Sequence, residues 1–166
     1  MAWVISENRL GLQDIAATST TQNVEEGTIV RAFDSTYGGG EFVYLKGVDS
    51  TVVGSLVTYS PTAHTTTLTP NTANLNQPVA VAMSANVSSQ WGWYQVNGAA
   101  IIKKTAVKVS PNVPVYQSGT TGRVMSTAAS GKQLMNARSL NAATVASATS
   151  TITVLIDRPF LQGAVS

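Results

Sequence analysis

The chain has no cysteine, a single histidine (His64) and only eight acidic residues among 166. Without cysteine there are no disulfides and no thiolate metal centres. One imidazole and few carboxylates leave little with which to move protons, hold a metal or activate a nucleophile. Charged residues make up 11% of the chain, against about 25% in ordinary globular proteins. No run approaches the ~18 apolar residues of a membrane-spanning helix. Met1-Ala2-Trp3-Val4-Ile5-Ser6-Glu7 lacks the basic and apolar regions of a signal peptide. The expectation is a protein made in a cytosol, without metal or cofactor, whose stability comes from packing or assembly.

What fills the chain is Ser, Thr, Ala, Val and Gly in short alternating runs. At 17.3 kDa it fits one domain, or one domain with an arm. A chain of this size buries roughly 70% of its unfolded surface, enough for a real core. A surface so poor in charge protects a free monomer badly against self-association, and suits a subunit of an assembly better. The charges are also uneven. Residues 1–60 hold seven acids and three bases (net −4), and residues 61–166 hold one acid and seven bases (net +6). On separate faces such halves attract one another between copies; scattered, they are solvated surface.

Residues 1–26 mix isolated hydrophobes with the polar tract Thr18-Ser19-Thr20-Thr21-Gln22-Asn23 and read as an extended arm. Residues 27–166 read as a single β-domain. Strand-like runs occur at 28–33, 41–46, 50–59 and 78–83, with Gly54 a bulge or close-approach point. Asp34 to Gly40 reads as a flexible connection, and Pro61 and Pro70 frame a Thr-rich hairpin around His64. Trp91 to Val96, Asn97-Gly98 and Ala99 to Lys103 together predict a hairpin turning at Asn97-Gly98, because both residues accept positive φ. Residues 107–109, 113–116 and 123–125 are shorter candidates, with Pro114 marking an edge. Residues 126–150 are small and polar, and the last strand centres on 152–156. Many short strands without a sustained helical period indicate an all-β antiparallel sandwich or barrel.

Each candidate for chemistry meets a plainer reading. His64 would serve a Ser-His-Asp triad or a hydrolase, yet it lies in a turn-like stretch with no acid nearby in sequence. Gly38-Gly39-Gly40 lacks the Lys-Ser/Thr pair and helix of a phosphate loop, and Glu25-Glu26 lacks the context of a glycosidase pair. Lys103, Lys104 and Lys108 with Trp91, Trp93 and Tyr94 are the best case for a nucleic-acid face. Alternation, however, puts the two tryptophans on one face, as in a core, and the basic patch is sparse. Asn86-Val87-Ser88 matches a glycosylation sequon by chance. No nucleic-acid or membrane partner is expected.

The segments 27–34, 40–48, 79–86 and 90–98 (GTIVRAFD, GEFVYLKGV, VAVAMSAN and QWGWYQVNG) resemble small structural proteins that decorate and cement the capsids of tailed bacteriophages. The likeness spans about residues 27–116. It implies a β-rich, non-enzymatic protein of the virion exterior, often a homotrimer, that binds the major capsid protein where capsomers meet and stabilises the shell. Contact candidates are Trp3, Val4, Ile5, Leu10 and Leu12 in the arm and Phe160 and Leu161 after the last strand. Deleting residues 1–15 is then expected to weaken shell binding and leave the β-domain folded. The alternative is a receptor- or glycan-binding module of a fibre or head appendage, with exposed Trp and Tyr stacking on sugars.

Overall fold

The computed structural model describes residues 2–6 and 11–164. Twelve β-strands and no helix occur among them: β1 Val4–Ile5, β2 Thr18–Ser19, β3 Ile29–Asp34, β4 Gly38–Lys46, β5 Leu56–Tyr59, β6 Thr66–Leu68, β7 Val79–Ala82, β8 Trp91–Lys103, β9 Pro114–Gln117, β10 Val124–Met125, β11 Gln133–Ser139 and β12 Thr151–Leu161. All strand pairs are antiparallel, and the all-β expectation holds. The main path runs β1-β3-β4-β8-β12-β11-β9-β10, with β2, β5, β6 and β7 attached beside it, so the sheet stays open.

Alternation along β4 explains the layering. Phe42 and Tyr44 point to one face and Val43 and Leu45 to the other, and all four are buried. The first face packs Val30, Ala32 and Trp93 against Ile15 and Met83, with Trp3, Ile5, Leu12 and Val24 closing over them. The second packs Tyr94 and Val96 against Val57, Ala80 and Ala82 of β5 and β7. Leu56, Val79 and Val81, on the far side of β5 and β7, belong to the largest cluster. That cluster joins the second half of β8 to β9–β12.

The segment read as an extended arm therefore lies on its own domain, as one wall of a core. Ile15 is buried, β1 pairs with β3, and β2 pairs with β8. Gln13 ties the wall down: its carbonyl accepts from Trp93 Nε1 at 2.9 Å, and its Oε1 accepts from the Tyr44 hydroxyl at 3.2 Å.

Several expectations are corrected. Asn97-Gly98 is not a turn: β8 runs straight through it for thirteen residues. β4 pairs with its first half and β12 with its second. The register with β4 slips at this point, and Gln95 Nε2 donates to the carbonyls of Asn97 and Ala99 across the bulge. Gly98 has φ +101°, and a Cβ there would sit 2.5 Å from the Gly39 carbonyl oxygen. The Asn-Gly pair thus lets β4 approach a kinked strand and does not reverse the chain.

The connection after β3 is a tight turn, and the three glycines already belong to β4. Asp34 orders that turn by accepting from the amides of Thr36 (2.8 Å) and Tyr37 (3.1 Å). Pro114 does not mark an edge. It opens β9, which lies between β11 and β10, and the first position of a strand tolerates a missing N–H. The polar tract 126–150 contains β11, whose register with β12 shifts at Asn136 (φ +56°), where β12 holds the extra residues. Residues 107–109 form no strand; Val109 makes only a bridge to Val145.

Candidate functional site

β5–β7 cover the second face over β4 and β8 but leave it open over β3 and β1. Ile29, Arg31 and Phe33 project from β3 on this face, and Val4 lies directly opposite Phe33 across the β1–β3 pair. Val4 is 67% exposed and Phe33 56%. Phe33 is paired on its other side with Gly39, above which no atom lies within 4 Å of a Cβ position. The bare glycine floors a groove of about 500 Å3 between Phe33, Arg31, Glu41 and Asn97. A second groove, of about 330 Å3, continues past Ile29 to Pro78, Arg158 and Phe160.

A polar row divides the two. Glu41 accepts from Arg31 Nε at 3.3 Å and from Arg158 Nη2 at 2.9 Å. Asn97 Nδ2 donates to Asp157 at 2.9 Å. Exposed ion pairs of this kind add little stability, but they fix the orientation of charge on an otherwise apolar strip. Across the sheet, Asp34 Oδ2 accepts from the Ala2 amide at 2.9 Å and fastens the start of β1 beside the β3–β4 turn. The backbone amide of Thr36 foremost, with those of Ala2 and Tyr37, holds the Asp34 carboxyl below its ordinary pKa against the opposing effect of burial.

The sequence candidates scatter over this framework. Val4 and Phe160 reach the open face. Trp3, Ile5 and Leu12 pack inward on the first core face. Leu161 is fully buried, with its amide bonded to the Gln77 carbonyl, so it offers a partner no surface. Leu10 lies outside the described residues. Phe33 and Ile29 were missed. The alternation in IVRAFD was legible, but which face lacks a covering layer depends on where β5 and β7 stop.

The nucleic-acid arrangement is not assembled. Lys104 is buried, and its ammonium donates to the carbonyls of Thr105, Val107 and Ser147. Trp93 and Tyr94 are buried, and half-buried Trp91 donates to Glu26 at 2.7 Å. His64 packs its ring against Gly27, and among the described residues its side chain bonds to no carboxylate. Three or more His, Asp or Glu side chains placed to share a metal do not occur among the described residues. Asn86 is buried and donates to the Leu45 carbonyl and the Tyr94 hydroxyl, so the sequon is closed in the folded chain. Comparison of the chain with protein-family models, with curated proteins and with solved structures gives no match.

Proposed function

We propose that this chain is a structural subunit that binds the outside of a phage capsid and stabilises the shell by bridging neighbouring capsomers. The observation that carries the docking is the exposed strip Val4–Phe33–Ile29–Phe160, a continuation of the buried second core face that β5–β7 do not cover and that the Arg31–Glu41–Arg158 row crosses. Exposed large apolar side chains rimmed by polar residues mark contact sites on a folded domain. Full burial of one such side chain contributes about 1.5–3 kcal/mol. Many copies on one shell multiply modest contacts.

The resemblance of residues 27–116 to decoration proteins names the shell as the surface and the major capsid protein as the partner. Strands tied by antiparallel pairing, with the N-terminal segment locked into the core, give a rigid body suited to holding two neighbours at a fixed spacing. The homotrimer that the resemblance implies belongs to the same proposal.

The test is quantitative mass spectrometry of purified virions. Hundreds of copies per particle, stoichiometric with the major shell protein, are expected. Absence from intact particles, or only a few copies, overturns the reading.

A further inference from the structure

The turns that precede β5 and β10 meet beside the far end of β8 and enclose a pocket of about 260 Å3. Its polar lining has one sign. Lys103 and Arg123 share it with the hydroxyls of Ser50, Ser55, Thr120 and Thr121, and no Asp or Glu lines it. Among the described residues neither cation forms a salt bridge, and the hydroxyls of Ser50, Thr120 and Thr121 take no partner within the chain.

The pocket is also held rigidly. Lys103 N donates to the Gly54 carbonyl at 2.8 Å, Leu56 N to the Gly122 carbonyl at 2.9 Å, and Gly122 N to the Thr69 carbonyl at 2.9 Å. Gly54 has φ +81°, and a Cβ there would meet the Ile101 carbonyl oxygen at 3.0 Å, so only glycine lets this turn reach β8. Two like charges gathered in a recess with unused hydroxyls are most favourably completed by an anion. A guanidinium and an ammonium beside hydroxyl donors suit an oxygen-rich one.

We propose that this pocket binds a tetrahedral oxyanion, phosphate or sulfate, either free or as the terminal ester of a larger molecule. The site lies six residues along β8 from Asn97, roughly 20 Å at the strand rise. Its occupancy is therefore separable from docking through the Phe33 face, and each idea stands or falls alone.

The experiment is a 15N-resolved NMR titration of the whole chain with sodium phosphate and with sodium sulfate, using sodium chloride at matched ionic strength as control. Saturable shifts confined to the amides around Gly54 and Thr121–Gly122 are expected. The Lys103→Gln/Arg123→Gln double variant should weaken binding at least tenfold. A sugar phosphate and a sugar sulfate form further arms. Tighter binding than the inorganic ion identifies an ester as the ligand, and equal binding identifies the free ion. Shifts that follow ionic strength alone, or saturation unchanged in the double variant, overturn the proposal. So does binding to duplex DNA, added as a last arm, with neither small ion saturating. If the double variant does not fold, the wild-type shift map decides: localised shifts support the site and dispersed ones refute it.

Discussion

Val4 stands directly across the β1–β3 pair from Phe33, and both side chains face solvent while their neighbours Ile5 and Ala32 face the core. A single rung thus separates what the N-terminal segment does for the fold from what it offers outside. Val4→Asp and Phe33→Asp should leave the fold nearly unchanged, within about 0.5 kcal/mol, as surface substitutions away from buried features do. The same variants should cut binding to undecorated shells at least tenfold. Denaturant melts and a shell-binding assay measure the two effects; equal binding by both variants would remove the face from the proposal.

Truncation of residues 1–15 should disturb the β-domain rather than leave it folded. It removes Ile15 and the Gln13 bonds to Tyr44, Trp91 and Trp93, and it opens the cluster around Trp93 and Tyr44. Ile15→Ala alone should cost about 2–5 kcal/mol, the usual range for emptying a buried aliphatic site. The truncated chain should melt far below the full chain and bind a hydrophobic dye. A truncation that melts like the full chain would show the segment to be dispensable.

Lys104 places a charged group where the sequence suggests a surface. Its ammonium spans the carbonyls of residues 105 and 107 on one side and 147 on the other. Lys104→Met keeps the stem and removes the donors, orphaning carbonyls at a cost of about 1–3 kcal/mol. Amide hydrogen exchange in 105–109 and 145–149 should quicken more than in β3 and β4; uniform quickening would argue against a local tether.

Tyr94 sets the alkaline limit. Burial, foremost, pushes its phenol up to about 12, against the opposing hydrogen bond from Asn86. The unfolded phenol ionises near its ordinary value of 10.0. Between these values the folded state holds a proton that the unfolded state has released, so stability falls as pH rises through this window. Burial also raises Tyr44 and Tyr59, so absorbance titration should show several tyrosines ionising late and together with unfolding, and Tyr94→Phe should lose the Tyr94 component of that late phase.

Asp34 sets an acid response of opposite sign. Its folded pKa is lowered by the amides of Thr36, Ala2 and Tyr37, so its stabilisation is complete above the ordinary carboxylate value of 3.8. It is lost as pH falls through the lowered folded value. Asp34→Ala should flatten the acid limb of the stability curve and speed exchange at Thr36 and Tyr37. An unchanged acid limb would assign the pH response to other carboxylates.

Particular elements show how far local pattern reached. IVRAFD and the apolar stretch at 152–156 alternate cleanly, because each has one side chain set buried and neighbours on both edges, whereas Phe42 to Leu45 are buried on both faces and read as a continuous apolar run. β11 has only Leu134 and Ser139 buried, five residues apart, with left-handed Asn136 between them, so its period breaks and its polar residues read as loop. Asn97-Gly98 carries the strongest local turn signal in the chain, yet β4 and β12 together hold it inside a continuous strand. Many ladder hydrogen bonds outweigh the preference of two residues.

Composition and alternation alone determined an all-β chain with few proton-transferring groups, because strand periodicity and residue inventory are properties of neighbours in sequence. Only the tertiary structure decided that the N-terminal segment walls a core, that Phe33 faces outward, and that Lys103 and Arg123 line one pocket. Each of these depends on which layer stops where, and layers are made by residues far apart in the chain.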